Sequence, residues 1–306
     1  MNIPDFNLTN HVILISGAAR GLGLTLAEAL LEAGAKVYAL DHLPEPVCVT
    51  LSALYYNLHL QSQSQLLNSG QNLLLKTPEF IEIQQRAQTW HSELQYRCID
   101  VRDTLCLNAV VEDIANHEGR IDGLIAAAAI QQETPALEYS AKDSNALLEV
   151  NVTGVFMTAQ AVARQMVRFG NGGSIVLVAS MSGTVVNRVC WFLSFFLSSL
   201  TQTGLNLPRL QRKQSSRNPT ISQPRRRMGR LQYPRQHPLP GYILAPMLEM
   251  MFVEYPERRV EFAKENMLGR LSRPREYRGA AVFLLSNASS FMTGSDLRID
   301  GGHAAW

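Results

Sequence analysis

Four cysteines in 306 residues (Cys48, Cys98, Cys106 and Cys190) are too few and too irregularly spaced for a disulfide framework or a thiolate metal site. Reduced thiols in a cytoplasmic setting are the expectation. An excess of charge of one sign is also missing. The formal net charge is +2 with 18% charged residues, which gives no electrostatic reason to expect nucleic acid or an anionic membrane as partner. Long hydrophobic runs are absent too: the most apolar one, Trp191 to Leu200, falls well short of the ~20 residues that a membrane-spanning helix needs. Met1 to Asn10 is polar and lacks the charged and apolar regions of a secretory signal. What the chain does have, 46% hydrophobic residues, suffices for one sizeable core, or at most two domains.

That apolar content is organised. His11 to Ser16 is a continuous apolar run of the kind that a buried parallel strand shows. A Gly-rich turn follows, then Leu24, Ala27, Leu30 and Leu31 at helical spacing until Gly34, then a second strand, Lys36 to Asp41. Further strands are expected at Leu94–Ile99, Ile121–Ala127, Ser174–Ala179 and Ser295–Ile299, with helices at Thr104–His117, Asp143–Phe169 and Glu276–Leu285. Strands alternating with helices predict an α/β fold: a Rossmann-type, doubly wound parallel sheet in a single domain spanning 1–306. Two stretches break the rhythm. Residues 47–76 form a Leu/Gln/Ser/Asn-rich insert where a short connection belongs. Residues 189–240 run from an aromatic patch into Arg, Gln, Pro and Ser where a long helix and a strand are due, so the catalytic helix region is disrupted.

Ser16-Gly-Ala-Ala-Arg-Gly-Leu-Gly23 lies between the first strand and its helix. There Gly17 permits a tight turn, Gly21 lets the backbone approach a pyrophosphate, and Gly23 allows close helix–strand packing. Arg20 and Leu22 fall in the same turn, and the helix N-terminus offers free N–H groups to phosphate. Asp41 ends the second strand, where a carboxylate can accept hydrogen bonds from both ribose hydroxyls, which favours NAD.

The spacing of this turn resembles the TGxxxGxG pattern of the short-chain dehydrogenases/reductases, and other segments extend the resemblance over roughly three-quarters of the chain. Asp100-Val101 is similar to the family's adenine-contacting pair, although Asp100 could equally cap a turn. Ala126-Ala-Ala-Ala129 stands where the family has Asn-Asn-Ala-Gly, keeping small residues such as Ala127 at the cofactor but losing the Asn side chain. In Glu149–Phe156 the resemblance implies that Asn151 holds a helix kink and a proton-relay water; the alternative is a polar group satisfied by backbone. Gly172–Ser180 ends in the serine that would bond the substrate oxygen, with Ser182 as a competitor. Pro240-Gly241-Tyr-Ile243 resembles the segment that closes on the nicotinamide carboxamide through Ile243, with Ala245 where a Thr is common. Asn266–Arg270, Ser289–Gly294 and Asp300–Gly302 complete the match.

The resemblance implies hydride transfer between NAD(H) or NADP(H) and a secondary alcohol or ketone, with the fungal polyol/ketose reductases as the nearest relatives, and a homo-oligomer. Arg20 and His42 pull toward NADP, because a basic residue there meets a 2′-phosphate in this family, while Arg20 could also be a solvated turn residue. The choice between the two cofactors stays open.

The chemistry also needs a Tyr to move the proton and a Lys four residues later to lower its pKa. Between Ser180 and Gly241 stand one Tyr, Tyr233, followed four residues on by His237, and one Lys, Lys213. Codons permitted for Leu210-Gln-Arg-Lys-Gln-Ser215, read one base later, can encode Tyr-Asn-Ala-Ser-Lys-Ala. The same frame forces a Trp from Met228-Gly229 and runs to the Pro-Gly of Pro240-Gly241. Val189-Cys190 can be encoded by GTATGT, a splice-donor sequence, and Leu200–Gly204 can hold an acceptor. These residues predict an intron-derived, out-of-frame tract at 189–240 and an aberrant insert at 47–76, which opens with Val47-Cys48. The alternative is a chain that binds nucleotide without catalysis or folds poorly. The Arg-rich run Arg225–Arg230 is then a by-product of the frame rather than a nucleic-acid patch.

Overall fold

The computed structural model of the chain describes residues 4–44, 78–132, 134–135, 137–183 and 235–305. The insert at 47–76, the Arg-rich run, Lys213, Tyr233 and all of the 189–240 tract before 235 lie outside the described residues.

The first apolar run forms β1 (Val12–Ser16), followed by α1 (Gly21–Glu32) and β2 (Lys36–Asp41). Next come α2 (Pro78–Thr89), β3 (Glu93–Cys98), α3 (Thr104–Glu118) and β4 (Gly123–Ala126). The expected helix over Asp143–Phe169 is α4 (Ala141–Leu148), a π-helical turn (Glu149–Gly154) and α5 (Val155–Phe169). The chain continues as β5 (Ser174–Leu177) and, later, β6 (Arg235–Pro240), α6 (Pro246–Glu254), α7 (Arg258–Glu265), α8 (Arg278–Leu285) and β7 (Ser295–Ile299).

Among the described residues, seven strands make one sheet in the order β3-β2-β1-β4-β5-β6-β7, parallel at every pairing. Period-two alternation sends Ile13, Ile15, Val37 and Ala39 to one face, under α1, α2 and α8. Val12, Leu14, Tyr38 and Leu40 go to the other, under α3 and α5. Both faces are thus buried, which is why these strands read as unbroken apolar runs. The strand order reverses between β1 and β4, and in open α/β sheets ligands bind outside the carboxyl ends at such a point.

Two features depart from the sequence reading. Ala141–Phe169 is long and apolar enough to cross a bilayer by length and composition. Its apolar face, through Val155, Val162 and Met166, belongs to the core cluster on the sheet. The other departure is β6. The last six residues of the 189–240 tract pair with β5 at Ile175↔Arg235 and Val176↔Gln236, and with β7 from Gln236↔Ser295 to Pro240↔Ile299.

Candidate active site

A cavity of about 620 Å³ opens at the carboxyl ends of the strands, spanning the reversal point. Every one of the twelve sequence-predicted site residues lines this cavity.

The glycine turn forms its floor. Gly17 has φ +73°, and a Cβ there would lie 2.7 Å from the Cα of Ala128 and 2.8 Å from the carbonyl oxygen of Ala127. At Gly23 a Cβ would lie 2.1 Å from the Gly17 carbonyl oxygen, so only glycine lets α1 start against the turn that precedes it. Arg20 caps α1 without a side-chain hydrogen bond. The first N–H groups of that helix therefore keep their donor capacity toward the cavity, as an anion site requires.

Asp41 braces this turn from the end of β2. Its Oδ2 accepts from the buried Ala19 N–H at 3.0 Å, and its Oδ1 accepts from Leu43 N–H at 3.3 Å and lies 3.2 Å from His42 Nδ1. Ala127 is held beside β1, its N–H donating to the Ser16 carbonyl at 3.1 Å, and Ala128 N–H reaches the Ser16 hydroxyl at 3.4 Å. These alanines keep the close approach that Gly17 demands.

Asp100 is already engaged. Arg102 Nε donates to both of its oxygens at 3.0 Å, Arg102 Nη2 to Oδ2 at 2.5 Å, and the Arg102 backbone N–H to Oδ1 at 2.9 Å. The guanidinium hydrogen bonds hold the Asp100 carboxyl below the usual carboxylate range, outweighing the opposing effect of burial. Neighbouring Asp103, not Asp100, caps α3 by accepting from Cys106 N–H at 3.0 Å. Arg102 itself lines the cavity, a contact that the sequence reading did not contain.

Asn151 sits in the π-helical turn, a device that often marks functional positions. Its Oδ1 accepts from Ile130 N–H and its Nδ2 donates to the Ile130 carbonyl, both at 2.9 Å. The side chain thus pairs the helix to the loop after β4 as a strand neighbour would. Ser180 follows β5, and its hydroxyl accepts from Ser182 N–H at 3.2 Å, so the two competing serines form one turn. Ile243 is fixed from below through a bridge to Ser272, whose hydroxyl bonds the Tyr242 carbonyl and Tyr277 at 2.8 Å each. Burial raises the pKa of Tyr277.

Sequence reasoning missed the far wall, formed by Met181, Tyr242, Met247, Leu248, Met250 and Phe262. Pro246 at the first position of α6 was the available signal.

A parallel sheet that reverses at β1 and β4, with this glycine turn and Asp41 at its carboxyl ends, defines a dinucleotide-binding protein of the Rossmann class. Comparison with known proteins narrows the class. Residues 60–191 match the family model described as short chain dehydrogenase, and residues 239–304 match the one described as Enoyl-(Acyl carrier protein) reductase. The chain is 33% identical to Short chain dehydrogenases/reductase notP′ of Aspergillus versicolor, over 98% of this chain and 89% of that one. It is 26% identical to the ribulose-forming D-arabinitol 2-dehydrogenase of Candida albicans, covering 99% and 96%. Among solved structures, a gluconate 5-dehydrogenase from Burkholderia cenocepacia in complex with NADP and tartrate superposes with a TM-score of 0.71 at 25% identity, covering 99% and 98%. The chain belongs to the short-chain dehydrogenases/reductases. It is by family an NAD(P)-dependent oxidoreductase that interconverts an alcohol and a ketone.

Proposed function

We propose that the cavity carries out this interconversion on a small molecule, with Ser180 binding the reacting oxygen and Asn151 holding the loop beside it. The carrying observation is the convergence of the glycine turn, Asp41, Asn151 and Ser180 on one cavity at the sheet's reversal point. The residues fit a nicotinamide dinucleotide: Gly17 and Gly23 leave room that a Cβ would fill, and the start of α1 presents donors to phosphate. Asp41 stands where the adenosine ribose would lie, Val101 beside the adenine, and Ile243 beside the nicotinamide. The bound nicotinamide supplies or accepts the hydride.

The chain's own residues do the rest. The Ser180 hydroxyl donates to the carbonyl oxygen and stabilises the charge that develops there. Asn151 fixes the backbone at Ile130, and so the wall that keeps water off the reacting carbon. The proton needs a group of suitable pKa, and we assign it to the Tyr and Lys whose codons lie out of frame under Leu210–Ser215. Positioned acid–base groups contribute roughly 10²–10⁴-fold. The protein translated from a frame-restored transcript should therefore reduce ketones with NADPH or NADH that much faster than the chain described here. Failure of the frame-restored protein to oxidise either cofactor with any ketone would sink the reading. Four cysteines without framework spacing accord with a cytoplasmic setting.

A further inference from the structure

The far wall of the cavity has a chemistry that neither the glycine turn nor Ser180 explains. Met181, Tyr242, Leu248 and Phe262 belong to a third apolar cluster, separate from the two sheet-face cores, and all four line the cavity. Tyr242 and Phe262 stack with ring centroids 4.1 Å apart and an interplanar angle of 7°. Met247 and Met250, one turn-face apart on α6, complete this wall and remain 45% and 37% exposed. They are large apolar side chains kept at the rim of an open cavity rather than in a core.

Among the described residues, several polar groups on this side are already engaged. Both ends of the Asn151 amide are used by Ile130. The Tyr242 hydroxyl bonds Glu265 Oε2 at 3.2 Å. Ser180 is needed for the reacting oxygen. A sugar polyol carries a hydroxyl on nearly every carbon, and each one taken from water without a partner costs about 1–3 kcal/mol. An apolar ring set against methionine and stacked aromatics instead gains from every square ångström it buries, and thioethers adapt to its outline.

We propose that this site takes a hydrophobic cyclic or aromatic ketone and its alcohol, not a polyol or ketose, with Met247 and Met250 as specificity-determining residues. The proposal rests on the oxidoreductase reading above, so its test separates the two. The chain, saturated with NADPH and in parallel with NADH, is titrated calorimetrically with 1-tetralone and with L-xylulose. Tetralone should bind at least about tenfold more tightly than xylulose, and the double variant Met247→Gln, Met250→Gln should erase most of that difference. Both side chains are partly solvated, so the variant should keep its unfolding midpoint. Xylulose binding as tightly as tetralone, or a variant that retains the full preference, overturns the substrate class while leaving cofactor binding intact. Failure of both nicotinamide cofactors to bind overturns the oxidoreductase reading, and the proposal with it.

Discussion

Asp41 performs two tasks that one pair of substitutions can separate. It braces the glycine turn through the Ala19 N–H at 3.0 Å, and under the proposed function it sets the charge where the adenosine ribose would lie. Ala19 is fully buried and the Asp41 side chain only 9% exposed, so Asp41→Ala strands a donor that water cannot reach easily. The cost should be about 1–3 kcal/mol, read as a lowered urea midpoint. Asp41→Asn keeps an acceptor oxygen for Ala19, and its stability should stay within about 1 kcal/mol of the parent. The charge, however, is gone in both variants. A carboxylate about 4 Å from a phosphate costs about 1 kcal/mol at the dielectric of water and about 4 kcal/mol at an effective value near 20. This site opens to solvent, and the low end of that range corresponds to about a fivefold shift. Removing the carboxylate while Arg20 and His42 remain should raise the affinity for NADPH relative to NADH by about that factor. Titration of nicotinamide fluorescence with both cofactors measures the ratio. An unchanged ratio in Asp41→Asn would show that the carboxylate does not face the ribose, whatever happens to stability.

Three further substitutions probe the frame around the site. Gly23→Ala places a Cβ 2.1 Å from the Gly17 carbonyl oxygen; it should lower stability by about 1–3 kcal/mol and abolish detectable cofactor binding, and a variant binding normally would refute the close approach. Asp122→Ala removes the acceptor of Val12 N–H at 2.9 Å, Arg120 Nε at 2.8 Å and Asn171 Nδ2 at 3.1 Å. Discounting the Arg120 part for its 43% exposure leaves about 2–3 kcal/mol, which equilibrium unfolding would register. The hydrogen bond from Arg270 and the backbone N–H of Arg273 hold the Glu276 carboxyl down to about 2. Its contribution to stability is therefore complete above the ordinary carboxylate value of 4.5 and is lost as pH falls toward about 2. Glu276→Gln should flatten the stability profile in that window, and an unaltered slope would count against the pairing.

The legible parts of the fold are those whose physics is local. β2 matches its expected bounds and β1 differs by one residue, because a strand buried on both faces must be a short unbroken apolar run; β7 also matches its expected bounds, although Asp296 and Arg298 leave one of its faces exposed. The glycine turn is legible because the close approaches at Gly17 and Gly23 admit no other residue. α2 escaped notice because its three buried positions, Phe80, Ile83 and Ala87, are thinly spread among Glu and Gln. α6 is apolar on nearly every side, with Met247, Leu248, Met250, Met251, Phe252 and Val253 in one run, so no period marks it as a helix. Arg102 could not be found from sequence at all. Its fork onto Asp100 depends on how the loop after β3 turns, and spacing alone does not encode that.

β6 is the element whose sequence and surroundings disagree. It lies between β5 and β7, yet Arg-Gln-His-Pro-Leu-Pro has no β-branched residue, and two of its six residues lack an N–H. Proline within a sheet is normally confined to edge strands, strand starts or bulges. Here Pro238 can serve β5 only as an acceptor, through Ala179 N–H at 3.2 Å, and ladder pairing to β5 is confined to Arg235 and Gln236. The position is dictated by its neighbours: β5 and β7 need a strand between them, and the chain returns to matching residues at Pro240-Gly241. A segment so unsuited to the place it fills is what an out-of-frame translation of a proper strand would produce. We therefore expect mature transcripts to lack the bases under Val189–Gly204 and to encode Tyr-Asn-Ala-Ser-Lys from those under Leu210–Ser215, with a compensating shift near Pro240. Sequencing cDNA across Val189–Gly241 tests all three at once. Transcripts encoding Val189–Pro240 unchanged would defeat the splicing account and leave this chain with the family's cavity but without its proton donor.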